Sequence, residues 1–429
     1  MTNQREIVKT VIDIGNSKIK ILVAELYDNG QKVRVLGYTE ANTQGLKKSI
    51  IENPESITSS IDKAIREMEY KLDRRIETVT IGISSPNIKS RTINTRISFP
   101  ETVITDKEVD ELYSEAEKEL VNLDEKVIKK EMYNIRVNNS GILKNPKGVT
   151  GKELQGDIHL ISMKDSELNG YEEVINRAGL SVEGITLNAY CSAESVLDDE
   201  EKSKGVALID IGEGITDIIM YKNAKMIHSK SIALGCMHYI SDLSYILEIS
   251  KEEALSVIQK LKEKDIEKDR ITVNGKSFTV NHIRKIIDAR TEDIAKFILD
   301  TIEESGFNGY LGKGIIITGG AIVLDELIKK ISEYTAYKVV KKEPVFMVGL
   351  PERDSAMASV IGIMLEVMKN EFQKMQKAKR FIEEETLEEE VDTEEISILE
   401  ITDDREKEEE IEEKPSIIEK IKKIFNSYV

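Results

Sequence analysis

The sequence predicts an α/β fold made of two related halves, each with a mixed β-sheet core, and an inserted subdomain in the first half. Two observations support this prediction. A strand–turn–strand pattern occurs twice, about 200 residues apart, and strand-like and helix-like segments alternate through residues 1–380. Such alternation is typical of mixed sheets covered by helices. A Glu-rich linker and a short amphipathic helix follow the globular part.

The repeated pattern is a β-hairpin whose turn contains aspartate and glycine. The first copy reads TVIDIGNSKIKILVAEL from Thr10 to Leu26, and the second reads VALIDIGEGITDIIMY from Val206 to Tyr221. In each, an apolar strand ends in Asp-Ile-Gly and a second β-branched strand follows, as in a hairpin. The spacing exceeds any solenoid period, so we interpret the copies as two halves that present their turns to a shared cleft.

Helical and strand-like segments complete each half. Helices are expected at Ser56–Lys71, Gly170–Leu180, Lys251–Lys264, His282–Ser305 and Val323–Thr335, and GIIITGG at Gly314–Gly320 predicts a buried strand that enters a glycine turn. Residues 84–165 depart from the repeat, because a charged helix near 106–120 lies between strand-like pieces. We therefore predict an inserted subdomain there.

These patterns predict six segments. They are a first core in residues 1–83 and 166–203, an inserted subdomain in 84–165, a second core in 204–245 and 313–380, a small subdomain in 246–312, a disordered acidic linker in 381–414 and a terminal amphipathic helix in 415–429.

The net charge of −18 is concentrated in the linker. Between Glu383 and Glu413 the chain has 18 acidic and 2 basic residues, so the rest is close to neutral. A body without a basic excess does not predict nucleic-acid binding. A Glu-rich segment poor in aromatic residues predicts disorder. The two cysteines have no CxxC spacing, which argues against a disulfide framework or a zinc site.

Both hairpin turns have the composition of a phosphate-binding loop. Glycine lets the backbone approach a ligand closely, and successive N–H groups can form a nest for an anion. Aspartate at the strand end could hold Mg²⁺ through water, since Mg²⁺ prefers oxygen ligands and keeps several waters. The candidate nucleotide-binding residues are Asp13, Gly15, Asn16, Ser17 and Lys18 in the first turn and Asp210, Gly212, Gly214 and Thr216 in the second, with Asp13 and Asp210 as the Mg²⁺ candidates. One such turn would also fit an ordinary Asx-type hairpin, but two in the same context favour a nucleotide.

Two further glycine turns belong to this pattern. Gly319, Gly320 and Ala321 follow a buried strand, where a nucleobase or ribose could lie against bare backbone, and Gly235 lies in a small turn that opens a helix.

The order of these motifs resembles the actin–hexokinase–heat-shock chaperone ATPase superfamily and, within it, the FtsA family of bacterial cell-division proteins. The matching segments are VIDIGNSKIKILVAE, GVALIDIGEGITDI, IALGCMHYISDL, IIDARTEDI and GIIITGGAIVLDELI. The resemblance implies an actin-like two-lobed fold that binds ATP and Mg²⁺ between its lobes, with Gly235, Gly319, Gly320 and Ala321 bordering the adenosine. It also implies self-association into protofilaments, binding of the FtsZ C-terminal peptide at residues 246–312, and a place at the cytoplasmic face of the membrane at the division septum.

The same resemblance bears on hydrolysis. Asn188 lies where actin-like ATPases have a Glu or Gln that orients the attacking water, and asparagine is shorter. We therefore expect at most a weak ATPase. Two positions depart from the family pattern, because Glu213 and Cys236 stand where glycine is usual.

The last 15 residues predict an amphipathic helix that lies in a membrane interface. Ser416 and Glu419 form a capping-box pattern. The membrane-binding candidates share one helical face and its basic border: Ile417, Ile418, Ile421, Lys422, Ile424, Phe425 and Tyr428. The alternative is a helix docked on its own domain or on a protein partner. The long acidic linker favours the membrane, because it projects the helix away from the body.

Two other functions share the nucleotide motifs. A PilM-like platform of a pilus or secretion system would be shorter and would lack both the acidic linker and the terminal helix. A sugar or acetate kinase would need a catalytic aspartate and a sugar-binding loop in the first half, and we find no such constellation.

Overall fold

The computed structural model describes residues 7–27, 32–262, 269–321, 324–350 and 354–399, with side chains of the last helix as far as residue 378. The chain divides into two compact units, Met1–Phe372 and Gln373–Val429. In the described part, no helix has the length and apolar character that crossing a bilayer requires.

The described strands and helices alternate along the chain. The strands are β1 (Ile7–Ile14), β2 (Lys18–Tyr27), β3 (Lys32–Asn42), β4 (Leu46–Lys47), β5 (Ile50–Ile51), β6 (Thr78–Ile83), β7 (Lys89–Val103), β8 (Glu125–Val137), β9 (Thr150–Lys164), β10 (Ser181–Leu187), β11 (Val206–Ile211), β12 (Thr216–Lys222), β13 (Lys225–Ile232), β14 (Arg270–Val273), β15 (Lys276–Thr279), β16 (Ile315–Thr318) and β17 (Val339–Lys341). The helices are α1 (Pro54–Leu72), α2 (Asp106–Glu117), α3 (Asp165–Arg177), α4 (Asn188–Val196), α5 (Asp199–Lys204), α6 (Met237–Leu247), α7 (Lys251–Lys262), α8 (Val280–Glu304), α9 (Leu324–Tyr334) and α10 (Ala358–Leu399).

The two large sheets share one topology, which confirms the predicted duplication. The first has the strand order β3-β2-β1-β6-β10 and the second has the order β13-β12-β11-β16-β17. In each, three antiparallel strands adjoin two strands that run parallel to the first strand of the hairpin. Both hairpins also close with the same bond, from Gly15 N to Lys18 O at 3.2 Å and from Gly212 N to Ile215 O at 3.0 Å.

Helix α1 illustrates how local sequence determines an element of the first lobe. Asn53 caps its N-terminus by accepting from Ser56 N, and Pro54 occupies the first turn, where a missing N–H costs nothing. The buried stripe is the predicted one: Ile57, Ile61, Ala64, Ile65 and Met68. Asp73 ends the helix in the left-handed conformation.

The inserted subdomain has its own sheet and its own core. Its strand order is β7-β9-β8, and α2 begins with a capping box between Thr105 and Glu108. Leu112 of α2 packs with Leu154 and Ile158 of β9, all fully buried. The charged helix expected near 106–120 ends at Glu117 and continues as a 3-10 turn over Lys118–Leu123.

Helix α4 crosses the first turns of α10. A Cβ added at Gly362 of α10 would lie 1.7 Å from the backbone oxygen of Cys191 in α4, so only glycine permits this contact. Ser195 Oγ of α4 also donates to Ala358 O at 2.7 Å. The crossing fixes the N-terminal turns of α4 and α10 next to each other.

Two segments differ from the sequence prediction. The helix expected at 170–180 spans Asp165–Arg177, because Asp165 and Glu167 supply a favourable acidic first turn and Gly170 is accommodated inside the helix. Helix α10 extends through residues 381–399, where we predicted a disordered linker. Glutamate has a high helix propensity, so a Glu-rich composition is compatible with a helix as well as with disorder. The rest of the linker and the predicted terminal helix at 415–429 lie outside the described residues.

Candidate nucleotide-binding site

The four predicted turns meet at one place between the two lobes. A Cβ added at Gly214 would lie 2.6 Å from Cγ of Asn16, so the two hairpin turns are in contact. A Cβ at Gly235 would lie 2.3 Å from Glu213 O, and one at Gly319, whose φ is +108°, would lie 2.4 Å from the backbone of β11. The glycines therefore allow four backbone segments to converge.

Asp13 is the buried carboxylate of the first turn. Its Oδ1 accepts from Asn188 Nδ2 at 2.9 Å, and its Oδ2 accepts from Ser359 Oγ at 2.6 Å. Lys20 Nζ lies 3.4 Å from the same Oδ2 and also donates to Ala356 O. Three elements, β2, α4 and α10, thus fix one carboxylate.

Of the two lysines on β2, Lys20 is the one beside the carboxylate of the first turn, while a nucleotide contact of Lys18 stays a prediction. Lys18 pairs with Glu40 of β3 and is 43% exposed. The hairpin register explains the difference: Lys20 lies directly opposite Asp13, whereas Lys18 lies beyond the pair that closes the turn. The site therefore has one cation from β2, adjacent to the carboxylate.

The second turn presents two carboxyl groups and no lysine. Asp210 accepts from Ser192 Oγ at 2.5 Å, and burial raises the pKa of its carboxyl. Asp217 faces Asp210 across the hairpin and accepts from Ser231 and, at 2.8 Å, from Ser84 of the first lobe. Burial, with a smaller contribution from the charge of Asp210, raises the pKa of Asp217 to about 7.

Helix α4 contacts the aspartates of both turns. Asn188 is its first residue and Ser192 follows four positions later, so both side chains lie on one helical face. Asn188 donates to Asp13 and Ser192 donates to Asp210, which places one short helix under both lobes. A Cβ at Gly82 would lie 2.2 Å from Asn188 Oδ1, so glycine is needed beside this amide.

Comparisons with known proteins identify the family. Residues 207–413 match the family model described as "Cell division protein FtsA", and residues 86–162 match the model of the SHS2 domain inserted in FtsA. Together the two matches cover about two thirds of the chain. The chain belongs to the FtsA family. The second match lies within the predicted insertion, which is therefore an SHS2 domain.

Similar proteins agree with this assignment. The cell division protein FtsA of Neisseria meningitidis serogroup B is 26% identical over 355 residues, which cover 80% of this chain and 86% of that relative. MreB5 of Spiroplasma citri, solved with ADP, superposes with a TM-score of 0.51 and 13% identity over 85% of this chain and 98% of that chain. The PilM–PilN type IV pilus biogenesis complex superposes with a TM-score of 0.60 and 13% identity, over 83% of this chain and 98% of that chain. At such identities the structures show an actin-like fold alone. The FtsA match disfavours the PilM-like and kinase alternatives.

The remaining predicted residues of this FtsA-family chain support the turns in different ways. Thr216 Oγ1 donates to Leu234 O at 2.8 Å, so its hydroxyl fixes the turn that contains Gly235. Ala321 N donates to Ile211 O at 3.1 Å, and a Cβ at Gly320 would lie 3.0 Å from Cβ of Ala356. Ser17 is exposed at the tip of the first turn.

The two departures from the FtsA family pattern are accommodated by backbone contacts. Cys236 is buried with ordinary helical dihedrals, so the position needs no glycine, and its N–H donates to Gly212 O at 3.1 Å. Glu213 contributes its backbone oxygen, which accepts from Met237 N at 2.8 Å. These bonds connect the second turn to the start of α6.

Several site residues were not predicted from the sequence. Asp217 could have been found by aligning the two hairpin copies, since it follows Asp210 by seven positions as Lys20 follows Asp13. Ser192 and Ser359 carry no local signal, because each reaches its aspartate through the tertiary fold.

The donor set fits a magnesium nucleotide. Three carboxyl groups and one lysine converge, and oxygen ligands are those that Mg²⁺ prefers. Across the described ranges, no three His, Cys, Asp or Glu side chains form a ready-made metal cage. A Mg²⁺ ion at this place would therefore be held through water and phosphate oxygens, as is usual for that ion.

Proposed function

We propose that this FtsA-family protein binds ATP with Mg²⁺ between its two lobes. The observation that carries the proposal is the pair of buried aspartates, one at each glycine turn, held by the same helix α4. Two such turns in contact supply backbone N–H groups for phosphates from both sides. The presence of ADP in the MreB5 structure supports a nucleotide in this fold.

The proposed roles follow from the contacts. Lys20 faces the phosphates from the first lobe, and Asp13 and Asp210 hold Mg²⁺ through water. Mg²⁺, when bound, neutralises phosphate charge. Gly235 and the turn of residues 319–321 border the adenosine. The amide of Asn188 is engaged by Asp13, and it has no carboxylate, so we expect turnover well below the ~10 s⁻¹ typical of enzymes.

Calorimetric titration with ATP tests the nucleotide site. Asp210→Ala removes a Mg²⁺ contact, so this variant should bind ATP more weakly while it remains folded. Asp62→Ala, on the exposed face of α1, is the matched control and should bind ATP like the parent. An ATP affinity that is unchanged in Asp210→Ala would exclude this cleft as the binding site.

We further propose that the protein self-associates into filaments and tethers FtsZ filaments to the cytoplasmic face of the membrane at the division septum. Membership of the FtsA family supports this role. The proposed contact for the FtsZ C-terminal peptide is the subdomain of residues 246–312, and the proposed anchor is the amphipathic segment 415–429.

Liposome sedimentation tests the anchor. Ile421→Glu with Phe425→Glu places two carboxylates on the apolar face, where they would have to be desolvated or neutralised. This variant and a deletion of residues 415–429 should remain in the supernatant, whereas the parent should pellet with anionic vesicles. Asn426→Glu with Ser427→Glu adds the same charge on the polar face and should still pellet. Equal pelleting of the deletion would assign the terminal segment to protein docking instead.

A further inference from the structure

A two-residue turn between β4 and β5 is fixed on the first phosphate turn. Lys48 and Ser49 both adopt the left-handed conformation, with φ of 49° and 58°. The buried Ser49 exchanges two bonds with Asn16: Asn16 Nδ2 donates to Ser49 Oγ at 2.9 Å, and Ser49 N donates to Asn16 Oδ1 at 2.7 Å. Tyr171 Oη donates to Ser49 O at 2.7 Å. The turn therefore keeps a defined position relative to Asn16.

Lys48 differs from the other lysines of this region in its partners. Lys18 pairs with Glu40, Lys20 pairs with Asp13, and the neighbouring Lys47 lies 3.5 Å from Glu52. Lys48 is partly buried, and no carboxylate of the described residues lies within ion-pair distance of it. An ammonium group that has no carboxylate partner is complementary to an anion that binds beside it.

The position of Lys48 brings the first lobe close to the adenosine border of the second. Gly214 of the second turn lies against Asn16, the residue that Ser49 holds. On the same side, Gly235 N donates to His238 Nδ1 at 3.2 Å. Burial, and then the charge of Lys48, lower the pKa of His238.

The cations of the second lobe near His238 are already paired. Arg290 also contributes to the low pKa of His238, but its guanidinium binds both carboxylate oxygens of Asp242, at 2.6 and 3.0 Å. With its pKa lowered, His238 is mainly neutral near pH 7. Among the described lysines and arginines compared here, Lys48 is thus the one without a carboxylate partner, close to where the two phosphate turns meet.

We propose that Lys48 binds the polyphosphate of the nucleotide from the first lobe, across the mouth of the cleft. This inference rests on the proposed nucleotide function and adds a residue that no family motif in the sequence marked. The ligand chemistry follows from the site: an ammonium group beside two anion-binding turns is complementary to phosphate oxygens. Because Ser49 holds Asn16, and Asn16 touches Gly214, the contact also depends on the closed arrangement of the two turns.

The test compares Lys48→Asn and Lys48→Arg with Lys47→Asn. Asparagine tolerates the left-handed conformation, so Lys48→Asn removes the charge and preserves the turn. Calorimetry with Mg²⁺ present should show ATP and ADP affinity reduced about tenfold or more, as expected for a lost hydrogen bond to a charged group. Adenosine affinity should be unchanged. Lys48→Arg keeps the positive charge, so its ATP affinity should lie within about threefold of that of the parent. The ATP affinity of Lys47→Asn should equal that of the parent.

The outcomes separate this inference from the function on which it rests. A parent that binds no ATP overturns the proposed function and the inference together. A parent that binds ATP while Lys48→Asn binds it equally well overturns the inference alone. If Lys48→Asn lost as much affinity for adenosine as for ATP, the substitution would have distorted the cleft. That result would also overturn the proposed phosphate contact. Urea unfolding of all variants checks that the fold is intact.

Discussion

The β1–β2 and β11–β12 hairpins have the same backbone arrangement but different charges. In each turn a glycine N–H donates to the backbone oxygen three residues later. In each hairpin the aspartate of the first strand pairs with the residue seven positions later on the second strand. In the first hairpin that residue is Lys20, which compensates the charge of Asp13. In the second it is Asp217, and hydroxyl groups hold both carboxyls.

This difference shows how a duplicated element can be divided between two tasks. The lysine suits the first turn for phosphate, because an ammonium group attracts anions. The paired carboxyls suit the second turn for a cation, because they have excess negative charge and oxygen ligands. Variants of Lys20, of the two α4 contacts and of Asp217 test this division of tasks.

The largest effect is expected from Lys20→Met. Removing the lysine leaves the buried Asp13 without a counter-charge, which should lower the free energy of unfolding by about 3 kcal/mol in urea titration. Lys18→Met is the matched control on the same strand. Its pair with Glu40 is exposed, so the loss should stay within about 1 kcal/mol. Equal losses in the two variants would contradict the assignment of Lys20 as the cation of the site.

A smaller effect is expected from the two contacts of α4. Ser192→Ala removes the hydroxyl that donates to the buried Asp210, at a cost of about 2 kcal/mol in free energy of unfolding. Asn188→Ala should cost about 1 kcal/mol, because Asp13 retains Ser359 and Lys20. When Asp210 is also replaced by Asn, Ser192→Ala should lower the free energy of unfolding by less, since the acceptor at position 210 is then neutral. If Ser192→Ala lowers the free energy of unfolding by less than Asn188→Ala does, the carboxyls of the second hairpin do not depend on hydroxyl donors.

Local patterns predicted the repeated parts of the molecule. The hairpins, the stripe of α1 and the glycine turns each depend on residues close in sequence, where periodicity and turn chemistry act. Contacts between distant residues were not predictable. Ser359 and Asp13 are 346 positions apart and meet because α10 crosses α4. The choice between Lys18 and Lys20 depends on hairpin register, which composition does not reveal.

The smallest effect concerns the contribution of the second hairpin to the pH dependence of stability. Burial raises the pKa of Asp217 to about 7 in the folded protein, from the ordinary value of 3.8 for aspartate. The folded state therefore binds a proton that the unfolded chain has released, and the resulting stabilisation is lost as the pH rises through about 7. Between pH 6 and 8 the loss should amount to about 1 kcal/mol.

Asp217→Asn should remove this dependence, because the amide does not titrate. The parent also contains histidines at positions 159, 228 and 238 whose pKa values are lowered by burial, and these make stability rise with pH below about 6.5. The informative quantity is therefore the difference between variant and parent in free energy of unfolding, measured in urea at pH 6, 7 and 8. The free energy of unfolding of Asp217→Asn should increase relative to that of the parent as the pH rises. That of Asp62→Asn, an exposed control, should not. A constant difference would mean that Asp217 does not titrate between pH 6 and 8, and it would contradict a pKa of about 7 for this carboxyl.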